Sequence, residues 1–194
     1  GSIKRVSSAY GGDLLNLKGK ASFQNGELIR FRLEAYFNDT EKIRIEITGT
    51  GTEQKIAVTS DNAGKVFQML NLTPNLVGGK LYMEAKYDEG GEGDSLVGHC
   101  TVLDFHVTNT PILAQLLSIS VPTNVFEILS GNGLPFARLQ VPFRYTNSSL
   151  EVIKARATGI SLGITLNGNI DLNKKSANLN GTIIPTYLLN NIVG

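Results

Sequence analysis

Tryptophan is absent from this chain of 194 residues, and cysteine occurs once. A single thiol, Cys100, excludes an internal disulfide but leaves the compartment open, since proteins of oxidising compartments often lack disulfides. Only two histidines are present, His99 and His106, which narrows the room for metal or acid–base chemistry. No apolar run approaches the roughly 20 residues of a membrane-spanning helix. No stretch has the charged-then-apolar form of a signal segment; in a piece of a longer protein that says nothing of the parent's anchor. Gly1-Ser2 has the form of a cloning remnant. Neither sign of charge is in excess. With 18 Lys and Arg against 17 Asp and Glu, no large field draws the chain to nucleic acid or acidic lipid. Nor does any patch interleave basic and aromatic residues as a nucleic-acid surface does.

What is plentiful is glycine, 21 residues, together with asparagine, a composition suited to strands joined by tight turns. Leu14 to Phe23 reads as a strand, with Leu15, Leu17, Gly19, Ala21 and Phe23 on one parity. Asn25-Gly26 follows, a dipeptide that accepts the positive φ of a type I′ hairpin turn. Ile29, Phe31, Leu33, Ala35 and Phe37 then alternate with Arg30, Arg32, Glu34 and Tyr36, and Ile43, Ile45 and Ile47 alternate with Arg44, Glu46 and Thr48. This is the period of two that gives a strand one apolar face. A short strand covers Lys55 to Thr59, and strands resume after Gly78-Gly79 with Leu81, Met83, Ala85 and Tyr87. Further strands are expected over Leu96–Val107, Ala137–Tyr145, Leu150–Thr158, Ile160–Ile170 and Ala177–Ile184.

Helical spacing appears in short pieces only. Val66, Phe67, Met69 and Leu70 suit a helix within Asp61–Leu72 that Asp61 or Asn62 can cap. Pro111 suits a first helical position, so Ile112 to Leu117 reads as an apolar helix laid against the sheet. Asn124–Leu129 and Thr186–Val193 are two more short candidates. Together these supply about 35 residues, too few to form a second layer over about ten amphipathic strands. The apolar face must then be covered by a second sheet, by closure of the sheet on itself, or by a ligand. An uncovered face of that size would be an interaction site or an aggregation hazard. Strands of about 10 residues span roughly 33 Å, so a curled, unclosed sheet of them makes a trough wide enough for acyl chains. The expected fold is mainly β: a curled antiparallel sheet of repeated hairpins, an open groove or taco, with a few short helices capping it.

Motifs that would carry chemistry do not assemble. Gly159-Ile160-Ser161-Leu162-Gly163 fits the G-x-S-x-G pattern of hydrolases, which needs a strand, a sharp turn and a helix; here alternation continues past Gly163 and the stretch reads as mid-strand. Cys100, Asp104 and His106 share one strand parity while His99 points the other way, and their spacing matches no standard zinc set. Gly131-Asn132-Gly133 is not a phosphate cradle, because a strand follows it and none precedes it. The chain reads as a non-enzyme with no metal and no cofactor. Sequons at Asn38, Asn71, Asn147 and Asn180 matter only in a secreted eukaryotic protein.

Several stretches nevertheless resemble the C-terminal region of large AsmA-like proteins of Gram-negative bacteria. Leu96, Gly98, Val102, Asp104, Phe105 and Val107 fit a strand of the form L-x-G-x-x-x-V-x-D-F-x-V. Asn109, Pro111, Leu113, Ala114, Leu116, Leu117 and Ser118 fit the helix that follows it. Gly131 to Phe136 resembles the family's G-x-G-(I/L)-x-F element. Ala157 to Gly168 resembles its A-x-G-x-S-L-G-x-T-x-x-G strand, and Leu179 to Asn190 its L-x-G-T-x-x-P-x-Y-x-L-N element. The matches run in order from about Leu81 to Asn190; the first 80 residues fit only as generic strand repeats. One domain over residues 3–194 is expected, divisible into 3–78 and the family-like 79–194. The family's further strands and membrane anchor do not appear, and the apolar ending at Gly194 reads as a cut inside a longer protein.

The resemblance implies a relative of chorein-type bridge proteins, anchored in the inner membrane and reaching through the periplasm. It implies a groove along which phospholipid acyl chains pass between the membranes, passively and without catalytic residues. The groove-lining candidates are Phe31, Leu33, Ile43, Ile45, Ile47, Leu81, Met83, Leu139, Val141, Phe143, Leu162, Ile164 and Leu166. Ile112, Leu113, Leu116 and Leu117 are the candidates for a capping helix. Two alternatives stand beside this reading. The stripes could be the core of a closed sandwich. The chain could be a scaffold for outer-membrane assembly acting through protein contacts, including self-association through edge strands.

Overall fold

The computed structural model describes residues 1–9, 11–88, 95–108, 133–160 and 162–185. Eleven antiparallel strands follow one another in a single sheet whose spatial order is the order of the chain. They are β1 (Ser2–Ser7), β2 (Asp13–Gln24), β3 (Glu27–Tyr36), β4 (Lys42–Thr48), β5 (Lys55–Ser60), β6 (Leu76–Tyr87), β7 (Leu96–Val107), β8 (Leu134–Thr146), β9 (Ser149–Gly159), β10 (Leu162–Asp171) and β11 (Ser176–Pro185). The sheet is curled and does not close, since β1 and β11 are not neighbours. The described helical structure is one α-helix, α1 (Ala63–Met69), and a 3-10 turn at Gly51–Glu53. The helices expected over Ile112–Leu117, Asn124–Leu129 and Thr186–Val193 lie outside the described residues.

The sheet has one strand more than the alternation suggests, because β1 precedes the first apolar repeat. β6 and β8 also start earlier than expected. Gly78 (φ 69°) and Gly79 (φ 81°) do not precede the strand but lie inside it. The hairpins follow turn chemistry. Asn25 and Gly26 have φ of 53° and 84°, the paired positive angles of a type I′ turn. Asn147 and Ser148 repeat this at 48° and 68°.

Strict alternation does not survive along every strand. Asn16, Asp104 and Lys154 sit inside strands with φ of 52°, 53° and 50°. Each left-handed residue adds an irregular step, so two apolar residues three apart stay on one face. Leu14 and Leu17, rather than Leu15 and Leu17, pack toward the core. Val102 and Phe105 are both buried across Asp104, and Val152 and Ala155 across Lys154. Aspartate and asparagine tolerate this conformation at little cost. The zinc-parity reading therefore changes: Cys100 stays on the apolar face, whereas His106, beyond Asp104, pairs with Val77 and Pro135 on the other.

The core gathers residues of β3, β4, β6, β7, β8 and β10 together with α1. Ala35, Ile43, Leu81, Val102, Phe136 and Leu162 belong to it, with Val102 at 0% and Leu162 at 1% exposure. Complete burial of such a side chain contributes about 1.5–3 kcal/mol. Phe105 and Phe136 stack across β7 and β8 with ring centroids 5.3 Å apart. The helix α1 leaves the end of β5, with the side chain of Asn62 accepting from the Lys65 amide at 3.0 Å as its cap. Its Val66 is buried, and Phe67 and Met69 pack against the core. Gly64 allows this approach: a Cβ there would stand 2.4 Å from the Leu76 carbonyl oxygen.

Glu41, in the turn between β3 and β4, ties that helix down. Its carboxylate accepts from Lys65 Nζ at 2.7 Å, Asn62 Nδ2 at 2.8 Å and Asn38 Nδ2 at 2.7 Å. Lys65 also lies 5.6 Å over the Phe37 ring. The Lys65 and Asn62 hydrogen bonds hold the Glu41 carboxyl below its ordinary value, against the opposing effect of burial.

Two predictions follow from these contacts. Ser148→Gly should raise stability by about 0.5–1 kcal/mol, since glycine takes a positive φ without a Cβ penalty; urea denaturation against wild type reads this. A depressed folded-state pKa stabilises the fold above the ordinary glutamate pKa, and the gain disappears as pH falls through the depressed value. The stability difference between wild type and Glu41→Gln should therefore be constant near neutrality and shrink on acidification; a difference that does not change with pH would remove Glu41 as the tie.

Candidate functional site: the apolar face of the sheet

Residues directly opposite each other in an antiparallel pair share a face, so the register can be followed across the sheet. One row runs Ala35–Ile43–Ser60–Leu81–Val102–Leu139–Ala157–Ile164–Ile183. The next runs Leu33–Ile45–Val58–Met83–Cys100–Val141. A third runs Phe31–Ile47–Ile56–Ala85–Gly98–Phe143–Val152–Gly168. Leu162 and Leu166 flank Ile164 on β10 with the same parity. All thirteen groove candidates thus lie on one face.

They do not all do the same thing there. Ile43, Leu81 and Leu162 are core residues, and Ile45, Leu139 and Ile164 pack against that core. The other seven, Phe31, Leu33, Ile47, Met83, Val141, Phe143 and Leu166, are half-buried and stand outside the core cluster. Burial therefore grades along the strands. It is complete from Ala35 to Val102 in the first row and partial over most of the next two, where Ala85 and Val152 are the buried members. A further row, Tyr87–Leu96–Tyr145–Leu150–Ile170, continues the face beyond Phe143 and is half-buried throughout. Ile56 and Val58 on the short β5 and the whole Tyr87 row extend the candidate set. The tyrosines and leucines of that row already follow the alternation, which the sequence carries to the strand ends. The capping candidates Ile112, Leu113, Leu116 and Leu117 lie outside the described residues; α1 is the described element that covers part of the face.

Small residues mark where neighbouring strands come closest. A Cβ on Gly98 would stand 2.2 Å from the Glu84 carbonyl oxygen and 2.8 Å from the Ala85 Cβ. The neighbouring β6 leaves no room for a larger group at position 98. Cys100 sits one pair further along, flanked by Met83 and Val141. Burial pushes its thiol pKa up to about 12, so this sulfur serves as an apolar surface and not as a nucleophile.

The opposite face is polar and ordered by charge. Arg32 binds Glu46 and Arg44 binds Glu34, both at 2.8 Å, between directly opposed residues of β3 and β4. Arg144 pairs with Asp88 and, at 4.0 Å, with Glu151 across β9. A depression of about 600 Å³ on this side is lined by Lys55, Ala57, Glu84, Lys86 and His99 among others. Its charged lining is Lys55, Lys86 and one carboxylate, Glu84. Among the described residues no group of three or more His, Cys, Asp or Glu side chains converges to hold a metal.

The G-x-S-x-G stretch is not mid-strand. Gly159 ends β9, Leu162 opens β10, and Ile160 between them is 81% exposed. Gly159 accommodates a close approach of β8, since a Cβ there would stand 2.8 Å from the Pro135 carbonyl oxygen. A strand follows it, where a nucleophile elbow requires a helix. Ser161 itself lies outside the described residues.

No protein-family model, no curated protein and no solved structure matches the chain.

Gly98→Val should cost about 1–3 kcal/mol through overpacking between β6 and β7, read as a lowered midpoint in thermal or urea unfolding. An unchanged midpoint would mean the close strand approach there does not hold.

Proposed function

We propose that the chain is a segment of a bridge-like protein of the Gram-negative periplasm, carrying phospholipid between inner and outer membranes along an apolar β-groove. One observation carries this reading. Seven large apolar side chains of the curled face are half-buried and outside the core cluster. Burying apolar chain on such a surface is favourable by about 0.8 kcal/mol per methylene. The rows run across the strands, so with strands about 4.8 Å apart the row from Phe31 on β3 to Gly168 on β10 gives a path of roughly 34 Å along the sheet. Acyl chains would lie along those rows while headgroups stay in water, and movement would be passive, with no bond made or broken.

The reading gains support from the resemblance to the AsmA-like C-terminal region over Leu81 to Asn190. The family's implied setting, a parent anchored in the inner membrane with this part in the periplasm, belongs to the same proposal. It requires no cofactor and no nucleic acid.

A photoreactive residue placed singly at Leu139, Val141 or Phe143, and separately at Arg138, Gln140 or Arg144, tests it. The chain is exposed to phospholipid vesicles, irradiated and analysed by mass spectrometry. Phospholipid adducts are expected at 139, 141 and 143 only. Adducts at neither set from a stably folded chain would end the transfer reading in favour of a protein-contact scaffold. Equal adducts at both sets would mean non-specific surface contact and would end it as well.

A further inference from the structure

On the polar face the opposed charges of β3 and β4 are matched, Arg32 with Glu46 and Arg44 with Glu34. A neighbouring row departs from this. It runs Arg30–Thr48–Lys55–Lys86 across β3, β4, β5 and β6 and contains no carboxylate. Lys55 stands directly opposite Lys86, and both are exposed. Among the described residues neither makes an ion pair. Like charges directly opposite each other work against strand pairing. Arg32 also faces Lys20, but Glu46 neutralises it; the two lysines have no such relief. They border the depression of about 600 Å³ and a second of about 730 Å³ on the side of the 3-10 turn. Thr48, Lys55 and Lys86 line both.

We propose that Lys55 and Lys86 form a binding site for a phosphate group, either free or carried by a lipid headgroup. The Cβ atoms of directly opposed residues lie about 4.5–5.5 Å apart. Each ammonium sits on a flexible four-carbon stem and has three donors. Both can therefore turn onto one phosphate and meet two of its oxygens in charge-assisted hydrogen bonds. The hydroxyl of Thr48, directly opposite Lys55, supplies a further donor. In the adjoining row the small Ala57 stands between Glu46 and Glu84 and lines the floor of the depression. Glu84 is the carboxylate of that lining and opposes an anion, so the site is weaker than the lysines alone would make it. The near-balance of charge over the whole chain, net +1, excludes a long-range field but not a local cationic pair.

A phosphate bound here offsets a repulsion that the strand register itself imposes. The inference rests on the register and charge of the polar face. It does not depend on acyl carriage, which concerns the other side of the sheet.

Titration of the folded chain with inorganic phosphate, followed by amide chemical shifts, tests it. Saturable shifts are expected at Thr48, Lys55 and Lys86. Lys55→Gln/Lys86→Gln should weaken binding by about tenfold or more, and Glu84→Gln should tighten it by about threefold. The double variant should unfold at a midpoint no lower than wild type, because it loses only a like-charge pair. Shifts spread equally over Lys18 and Lys20, or a double variant that binds as wild type does, would overturn the inference. Co-sedimentation with phosphatidylglycerol vesicles separates the two sources. Pelleting that the double variant loses assigns the site to a lipid headgroup, and phosphate binding without pelleting assigns it to free phosphate. Pelleting shared by both proteins, with no phosphate shifts at the lysines, overturns the inference and leaves membrane contact to the apolar face.

Discussion

Everything in this molecule depends on keeping one side of a single sheet apolar across eleven strands. Hydrogen bonding between neighbours supplies the sheet, but it is indifferent to which side chains face which way. The facing is imposed by rows such as Leu33–Ile45–Val58–Met83–Cys100–Val141. A slip of one residue in any pair would turn a whole strand inside out. The other side reinforces the register. Arg32 opposite Glu46 and Glu34 opposite Arg44 are favourable only in the pairing observed. Such exposed pairs contribute little energy individually, but they penalise a shifted register by bringing arginine against arginine.

Long strands create a difficulty that short ones avoid. A twelve-residue strand in a strongly curled sheet twists out of phase with its neighbours. β2, β7 and β9 absorb the mismatch with one left-handed residue each, Asn16, Asp104 and Lys154. After each the apolar parity changes, and the apolar side stays apolar. At Gly79, a would-be Cβ only 2.8 Å from the Phe105 Cβ and 2.9 Å from Val102 Cγ1 shows how closely the neighbouring strand follows the step at Asp104.

This explains which parts of the fold are legible in the sequence. Between Phe31 and Ile47 the alternation is unbroken, and both the strands and their shared face can be read directly. Asn25-Gly26 declares its turn. The helix α1 is visible through its spacing and its Asn62 cap, although the observed helix is shorter than the pattern around it. What cannot be read is where parity steps. Leu15 looks like a partner of Leu17 until Asn16 takes a positive φ, and Cys100 and His106 look co-facial until Asp104 does. Asparagine and aspartate permit that conformation without requiring it, so only the neighbouring strand decides. The candidate face was legible for a related reason: thirteen residues chosen by alternation fall on one side. Their division into core and half-buried lining was not, because it depends on where α1 packs.

The order of the strands has a consequence of another kind. Among the described residues each strand makes its substantial contacts with the strands before and after it in sequence, and α1 packs chiefly on β6 and β7. Stability in such an arrangement is close to a sum over neighbours, as in repeat proteins. The architecture is therefore extensible in steps of one hairpin. Two strands inserted at a turn return the chain to the same side and the same direction, and no distant contact has to be rebuilt. Sequence length in a molecule of this plan is free to vary with the distance it must cover, while the cross-section stays constant.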